Sequence, residues 1–173
     1  AVLTLLAAVS VCEAVKVVTG IICSIKWPND ILVNNRKLGG ILTELGAELD
    51  RVDFVIIGIG LNVNNEAQEL LRTAISLKIA SYSQEKISRL ELLREILRKI
   101  EDNYLLFQKK GAAPILSKWK SLNITLGQRV KIASARVQVE GQAVDIDADG
   151  GLLVRKDNGT LQKFMSGDVV HLR

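Results

Sequence analysis

The sequence predicts an α+β fold in two parts, a mixed β-sheet with flanking helices over residues 1–122 and a small SH3-like β-barrel over residues 123–173. Three observations predict it. Residues 52–61 form one continuous apolar run, which is typical of a buried strand. Residues 88–107 repeat apolar side chains at helical spacing. From Ile124 onward, short apolar segments alternate with glycine-containing turns, as in a small barrel.

The composition indicates a folded protein that can bind an anionic ligand. The 173 residues are 48% hydrophobic and 24% charged, and the net charge is +4. That charge permits a nucleotide but does not by itself indicate a DNA-binding surface. Cys12 and Cys23 lie in apolar surroundings, which favours buried thiols in a reducing, cytoplasmic compartment. His171 is the single histidine and lies near the end, so Ser/His or Cys/His nucleophilic chemistry is disfavoured.

Residues 1–18 are apolar nearly all round and predict a buried helix packed on the sheet. A membrane span is disfavoured because Glu13 and Lys16 interrupt a run that is too short to cross a bilayer. The chain begins without Met and without a capping residue. We therefore expect an N-terminal portion of a longer protein to be missing.

A polar β-hairpin follows and is the centre of the functional interpretation. The apolar runs at residues 31–33 and 38–45 flank an Asn-Asn-Arg-Lys corner, which predicts two strands joined by a turn of two to four residues. Pro28 cannot donate to a strand ladder, so Asn29 and Asp30 should stand at a strand end near Lys37. Asn and Asp after Pro are also ordinary turn formers, and Lys37 could be a solvated edge charge.

Glycines interrupt the predicted strand at residues 52–61. Gly58 and Gly60 are two residues apart, so they leave one face of the strand bare and a ligand could lie on the backbone. Close packing of a helix against this face is the alternative interpretation. No third glycine opens a helix after Gly60, so the dinucleotide-binding fingerprint fails, and there is no Walker A string either.

The next segment is helical. A short helix is predicted at residues 66–71, and a capping box at residues 88–91 begins a helix of about 22 residues that ends at Gly111. Its apolar stripe is interpreted as core and consists of Leu93, Ile96, Leu97, Ile100, Tyr104 and Phe107. Pro114 then starts a short helix that contains Trp119.

Five short strands are predicted in the last fifty residues, at 129–133, 137–146, 151–155, 160–164 and 169–172. Three of the connections contain Asp-Gly, Asn-Gly or Ser-Gly, which are strong turn signals. Their number and regular spacing predict the barrel.

Three separated strings resemble the biotin protein ligases. They are K-W-P-N-D-I-L-V at residues 26–33, K-L-G-G-I-L at 37–42 and I-G-I-G-L-N-V-N at 57–64, and the closing G-D-V-V-H-L-R is similar to the end of that family. The resemblance covers nearly all 173 residues, but only the later part of the family's catalytic core and its small C-terminal domain. It implies an incomplete fold of the class II aminoacyl-tRNA synthetase and biotin ligase type.

The resemblance implies a two-step reaction. Biotin is first activated with ATP to biotinyl-5′-AMP and then transferred to a lysine in the biotin carrier domain of a carboxylase. Lys37 and Asp30 are the expected catalytic residues, with Lys37 offsetting the repulsion between the biotin carboxylate and the α-phosphate. Asp30 is also the expected ligand of Mg²⁺.

The remaining site residues follow from the same resemblance. Lys37 together with the glycines is expected to bind biotin, and these glycines are Gly39, Gly40, Gly58 and Gly60. ATP and the adenylate are expected to contact Asn29, Asp30, Asn62 and Ser76. In some members an aromatic side chain stacks on the adenine, but Ala74 stands at that place here.

The sequence departs from the family in one important respect. The arginine- and glycine-rich loop G-R-G-R-x-G-R does not occur in residues 1–173. We therefore expect this chain alone to have little or no ligase activity. The winged-helix domain of some members is also not matched, so DNA binding is not supported by this chain. A homodimer is compatible with the sequence, and no membrane association is expected.

Two other functions stay open. The first is a ligase for lipoate, or for another acid that is activated as an acyl-adenylate, on the same scaffold. The second is a non-catalytic interaction module in which the polarity of the hairpin is structural.

Overall fold

The protein folds into two antiparallel β-sheets, with helices packed against the first. The computed structural model describes residues 1–48, 51–82, 85–134 and 137–172, so Arg173, the last residue of the G-D-V-V-H-L-R string, lies outside the described residues. Helices α1 to α4 span Val2–Thr19, Leu77–Ala80, Arg89–Lys110 and Ala113–Leu122, and a 3₁₀ helix spans Ala67–Glu69. Strands β1 to β4 span Ser24–Lys26, Asp30–Val33, Arg36–Glu48 and Arg51–Leu61. Strands β5 to β9 span Arg129–Ser134, Val137–Ile146, Leu152–Arg155, Leu161–Phe164 and Asp168–His171.

Helix α1 is the buried helix that residues 1–18 predict. It packs against α3, α4 and β3, and it ends at Gly20, whose φ of 74° is left-handed. By length and composition α1 could cross a membrane, but 56% of it is buried inside this fold. Its apolar character is therefore explained by packing, because a helix that is surrounded by protein needs no polar face.

A partly buried polar network joins α1, α3 and α4. The Nδ2 of Asn103 donates to the hydroxyl of Ser10 and to Glu13 Oε2, both at 3.0 Å. Lys118 Nζ donates to Glu13 Oε1 and to the Asn103 carbonyl oxygen, both at 2.8 Å. Because buried polar groups are costly without partners, these bonds fix how the three helices are aligned along one another.

The polar hairpin forms as predicted, between β2 and β3. Its turn consists of Asn34 and Asn35, whose φ angles of 51° and 58° are both left-handed. Two such residues are the pattern of a type I′ turn, which matches the twist of the flanking strands. The strand order β1-β2-β3-β4 is antiparallel throughout, and the parallel pairings in the described part of the chain are two isolated bridges. The prediction that this sheet mixes parallel and antiparallel strands is therefore wrong for the described strands.

Strand β4 exists as predicted, but it is not buried on both faces. It lies at the edge of the first sheet, paired with β3 alone among the described strands. Phe54, Ile56, Gly58 and Gly60 are exposed on one face, and the alternate residues are partly buried. An apolar run does not distinguish a central strand from an edge strand, so the prediction of burial fails here.

Helix α3 has the predicted bounds and its Ser88 cap, but the predicted core stripe is only partly buried. Ser88 Oγ accepts from the Glu91 amide, as the capping box requires. The buried residues of α3 are Leu92, Ile96 and Asn103. By contrast, Leu93, Leu97 and Tyr104 are exposed. The face that packs on α1 is therefore displaced around the helix from the most apolar face.

The second sheet contains all five strands predicted after Ile124. Its order is β8-β7-β6-β5-β9, and each neighbouring pair is antiparallel. A closed barrel would need β8 to pair with β9, and no such pairing occurs among the described residues. The SH3-like barrel is therefore not confirmed, and the observed element is an open five-stranded sheet.

Trp27 connects the two sheets. Its backbone N–H donates to the hydroxyl of Thr125 at 3.0 Å, and its indole Nε1 donates to the carbonyl oxygen of Gly150 at 3.1 Å. Both Trp27 and Thr125 are buried. Ile25 of β1 also forms a parallel bridge with Asn123. The boundary between residues 122 and 123 stays a prediction, and the packing across it is continuous.

We expect Thr125→Val to destabilise the fold. Valine has nearly the same shape but cannot accept a hydrogen bond, so the buried N–H of Trp27 would lose its partner at a cost of about 1–3 kcal/mol. Urea denaturation gives the free energy of unfolding. Thr160→Val is the matched control, because that threonine is exposed and its change should be nearly neutral. Equal stabilities for both variants would contradict this role of Thr125.

Candidate active site

A single row of residues crosses all four strands of the first sheet. In register, Lys26 of β1 pairs with Asp30 of β2, Asp30 with Gly40 of β3, and Gly40 with Gly60 of β4. Directly opposed residues of an antiparallel sheet point to the same face. The row therefore places one ammonium and one carboxylate next to two positions that have no side chain.

A β-bulge brings Lys37 to this face. Lys37 and Gly40 are three residues apart, so in a regular strand they would point to opposite faces. The register shifts between Ile31 and Leu32, which leaves Leu38 without a partner across β2. This extra residue reverses the alternation, as β-bulges do. As a result Lys37 Nζ lies 2.5 Å from Asp30 Oδ1, and Lys37 Cε lies 3.7 Å from where a side chain on Gly40 would begin.

The lysine thus stands over the bare backbone and still reaches solvent. The side chain of Lys37 is 52% exposed and that of Asp30 is 25% exposed. A half-exposed ion pair stabilises the fold only slightly, because water screens it. The pair is consequently free to exchange partners with an anionic ligand at little cost in stability.

The glycines of this region divide into two kinds. At Gly58 and Gly60 the atoms nearest to an added Cβ belong to β3, at 3.6 Å and 3.9 Å. Both glycines are exposed, so among the described residues no helix packs on them and that alternative is wrong. Gly39 is different because it is buried, and a Cβ there would collide with the carbonyl oxygen of Gly60. Gly39 is required by the sheet itself and offers no bare surface.

A connecting segment lies along Lys37. The backbone N–H of Lys37 donates to the carbonyl oxygen of Thr73 at 2.8 Å, and the Ile75 N–H donates to that of Lys37 at 2.9 Å. Arg36 reinforces this contact by donating to the Ala74 carbonyl oxygen at 2.6 Å. The segment that was expected to pass the adenine is thereby held against the backbone of Lys37.

Ser76 is a helix cap in this segment. It is fully buried, its hydroxyl donates to the carbonyl oxygen of Asn65 at 2.7 Å, and it accepts from the Ile79 amide at 3.3 Å. Both functions of the hydroxyl are therefore used within the protein. The expectation that Ser76 contacts ATP is not supported by this geometry.

Asn29 and Asn62 lie close along the chain to Asp30 and Gly60 of the row. Asn29 precedes β2 and its Nδ2 donates to the Ile41 carbonyl oxygen at 2.8 Å. Asn62 follows β4 and its Nδ2 donates to the Ile75 carbonyl oxygen at 3.3 Å. A carboxamide has two N–H groups and an oxygen, so each side chain is oriented by the backbone and keeps further hydrogen-bonding capacity.

The second sheet contributes to the site, which the sequence reasoning missed. A cleft of about 390 Å³ is lined by Lys26, Asp30 and Lys37 and, opposite them, by residues 167–169. Lys26 is the first letter of the K-W-P-N-D string, and that pattern could have suggested it. Residues 167–169 gave no local signal, because their approach depends on how the two sheets pack.

A second, more apolar cavity of about 650 Å³ shares Trp27, Pro28 and Asn29 with this cleft. It extends along the beginning of α1 and residues 41–43 of β3. The segment from Trp27 to Asn29 therefore borders both an apolar and a charged space.

His171 lies near Lys26, one of the residues that line the cleft. Its Nε2 is buried and has no hydrogen-bond partner in the described part of the protein. Burial, and then the positive charge of Lys26, lower the pKa of His171 below its ordinary value. A neutral imidazole here leaves Lys26 and Lys37 as the cations of the cleft.

The described residues contain no group of three or more His, Cys, Asp or Glu side chains that could hold a metal ion. Two carboxylates line the cleft, Asp30 and Asp168. This fits Mg²⁺, which proteins commonly hold through one or two carboxylates while substrate phosphates and water provide the other oxygens.

Known proteins match the chain along most of its length. Residues 1–62 match the biotin/lipoate A/B protein ligase family, and residues 125–172 match the biotin protein ligase C terminal domain. The solved structure of a mutant biotin protein ligase from Aquifex aeolicus in complex with biotin is 30% identical, with a TM-score of 0.84 over 99% of this chain and 71% of that one. The chain belongs to the biotin protein ligase family.

Other members of the family are similar over much of the chain. The bifunctional ligase/repressor BirA of Bacillus spizizenii is 42% identical over 96% of this chain and 52% of its own length. The biotin–[acetyl-CoA-carboxylase] ligase of Mycobacterium tuberculosis is 36% identical over 86% of this chain and 53% of its own length. The chain thus spans about half the length of these curated relatives.

Substitution by alanine should affect stability differently at Gly39 and at Gly60. Neither Gly39 nor Gly60 has a left-handed φ, so only space distinguishes them. Gly39→Ala should lower the free energy of unfolding by about 1–3 kcal/mol through overpacking. Gly60→Ala should change it by less than about 1 kcal/mol. Thermal and urea unfolding of the two variants measure this, and a destabilised Gly60→Ala would contradict the open face.

Proposed function

We propose that this chain forms part of the active site of a biotin protein ligase. The ligase would activate biotin with ATP to biotinyl-5′-AMP and transfer the biotinyl group to a lysine in the biotin carrier domain of a carboxylase. The observation that favours this most is the position of Lys37, which a bulge places over bare glycine backbone beside Asp30. A structural relative from Aquifex aeolicus has been solved with biotin and ATP.

Lys37 would act by electrostatics. Activation brings the biotin carboxylate to the α-phosphate, and two unit charges 4 Å apart repel by about 4 kcal/mol at an effective dielectric constant of 20. A fixed ammonium between them offsets this repulsion, and the gain is largest as charge develops in the transition state. Lys26, on the same face, would add positive charge near the phosphates.

Asp30 would hold Mg²⁺ against the phosphates, where the ion neutralises their charge. Asp30 is paired with Lys37 in the structure. When Asp30 binds the ion, Lys37 would be released toward the substrate. Asp30 would in this way link Mg²⁺ binding to the release of Lys37 from its ion pair.

The bare face of β3 and β4 would be the floor of the biotin site. Gly40, Gly58 and Gly60 leave the backbone open, and Leu42, next to Gly58, adds an exposed apolar side chain. Biotin has an apolar bicyclic ring and a carboxylate tail. It therefore suits a surface that exposes backbone at its centre and carries lysines at one end. Asn29 and Asn62 would orient the adenylate through amide hydrogen bonds.

The proposal for this chain is limited to the ligase reaction in the cytoplasm. Repression is part of the name of the Bacillus relative and is not proposed here. Because residues 1–173 contain no G-R-G-R-x-G-R loop, we propose that ligation by this chain alone is weak and that the chain retains binding of the intermediate. Binding is therefore the better test.

We expect Lys37→Ala to weaken binding of a non-hydrolysable biotinyl-5′-AMP analogue by at least about tenfold, or 1.4 kcal/mol, because in this proposal the ammonium would contact the anionic linkage. Isothermal titration calorimetry of the 173-residue chain measures this. Lys131→Ala is the matched control, since Lys131 is another strand lysine with a carboxylate partner, in the second sheet. Unchanged affinity in Lys37→Ala with intact wild-type binding would remove Lys37 from the site.

The same calorimetry separates the alternatives. The family match names both biotin and lipoate, and a bare glycine floor alone does not distinguish the two rings. Tighter binding of the lipoyl analogue would favour a lipoate ligase on the same scaffold. An absence of binding for both analogues by the folded chain would favour the non-catalytic interaction module.

A further inference from the structure

Trp27 lies between the two sheets, at the start of the turn that joins β1 to β2. The turn spans residues 27–29 and connects Lys26 to Asp30, which pair in register and both line the cleft. Trp27 is almost completely buried, and it lines both cavities described above. Because this short turn connects the two charged residues, its position sets where the ammonium of Lys26 and the carboxylate of Asp30 stand.

The turn is anchored at both of its ends. At the far end, the carbonyl oxygen of Asn29 accepts from the Ile41 amide at 3.0 Å, and the Asn29 side chain donates to the Ile41 carbonyl oxygen at 2.8 Å. At the near end, the indole Nε1 of Trp27 donates to the carbonyl oxygen of Gly150 at 3.1 Å. The first sheet therefore fixes the end of the turn, and the second sheet fixes its beginning.

The carbonyl group of Gly150 is itself held from two sides. Gly150 is buried, has a left-handed φ of 82°, and lies in the segment between β6 and β7. Asp147 closes that segment, because its carbonyl oxygen accepts from the Gly150 amide at 3.0 Å and its Oδ1 accepts from the Gly151 amide at 2.8 Å. On the other side, a Cβ on Gly150 would begin 3.0 Å from Leu5 Cδ1 of α1. The acceptor of the indole bond thus has a well-defined position.

The second tryptophan of the chain shows what is particular to Trp27. Trp119 of α4 is also completely buried, but its Nε1 has no hydrogen-bond partner among the described residues. Trp119 lines neither of the two cavities. Trp119 therefore contributes apolar volume to the core, whereas Trp27 uses its N–H to connect the cleft with the second sheet.

We propose that Trp27 is a positioning residue for the ligase reaction. Its indole bond to the second sheet holds Lys26 and Asp30 where both charged groups face the ligand. This inference rests on the proposed function, in which these two residues serve the phosphates and Mg²⁺. Without the indole N–H, the Trp27 amide still bonds to Thr125, but the turn loses its link to Gly150. Lys26 and Asp30 then sample more positions, and a ligand must order them as it binds, which lowers its affinity.

Trp27→Phe tests the indole bond, because phenylalanine keeps a buried aromatic ring but has no N–H to donate. It should weaken binding of the non-hydrolysable biotinyl-5′-AMP analogue by about tenfold, as the loss of a group that orients a binding residue does. Trp119→Phe is the matched control and should leave the affinity unchanged. Isothermal titration calorimetry measures both variants, and circular dichroism checks that each is folded. Equal affinities of the wild type and folded Trp27→Phe, or equal losses in both variants, would overturn the proposal.

A double-mutant cycle separates positioning from an independent effect of Trp27. If Trp27 acts through Lys26, the losses of affinity in Trp27→Phe and Lys26→Ala should not add when the two changes are combined. A combined loss equal to the product of the two single losses would contradict the positioning role. A wild-type chain that does not bind the analogue would instead remove the proposed function, and the role of Trp27 with it.

Gly150→Ala reaches the same bond from the acceptor side, also where Trp27→Phe does not fold. Alanine disfavours the left-handed φ and would crowd Leu5, so the carbonyl group should move away from the indole. Gly159→Ala is the matched control, because Gly159 has the same φ of 82° in the second sheet and no described atom within 4 Å of an added Cβ. Analogue binding should weaken in Gly150→Ala alone. Equal affinities of the two folded variants would show that the second sheet does not position the site.

Discussion

The ion pair between Lys37 and Asp30 depends on one extra residue in β3. Without the bulge at Leu38, Lys37 would point away from Asp30 and from Gly40. Much of the surrounding structure holds that bulge in place: the Asn34-Asn35 turn sets the register before it, and Gly39 allows β4 to approach after it. The segment at Thr73 and Ile75 pairs with the backbone of Lys37 from the other side. The chemistry of the site is thus a consequence of backbone register.

Local signals in the sequence predicted most of the elements. Turn residues, the Ser88 cap and alternating apolar segments gave the hairpin, α3 and the five strands of the second sheet, because each signal acts within a few residues. The hairpin pattern placed Asp30 near Lys37, and the structure brings them together, whereas their expected roles came from the resemblance. The predictions that failed concern contacts between residues that are far apart in the sequence. An apolar run did not reveal that β4 is an edge strand, and helical spacing did not reveal which face of α3 is buried. The bulge, the buried Ser76 and the approach of residues 167–169 had no local pattern.

The link through Trp27 gives the second sheet a part in the site. Trp27 bonds to Thr125 and Gly150, and the residues that follow it are Pro28, Asn29 and Asp30. A movement of the second sheet would therefore be transmitted to the segment that lines both cavities. In this member of the biotin protein ligase family, the C-terminal region both closes the cleft from one side and anchors the strand end that supplies Asp30.

The polar network between α1, α3 and α4 limits which amino-acid substitutions this region can tolerate. Asn103 bonds to Ser10, Glu13 and Lys118, and Lys118 also bonds to Glu13, so an apolar replacement of any one member removes a hydrogen bond from another. A single substitution is consequently penalised even where the fully apolar quartet would fold well. Substitutions at these four positions should therefore be coupled. The effect of each single substitution on stability will not predict the effect of replacing all four side chains together.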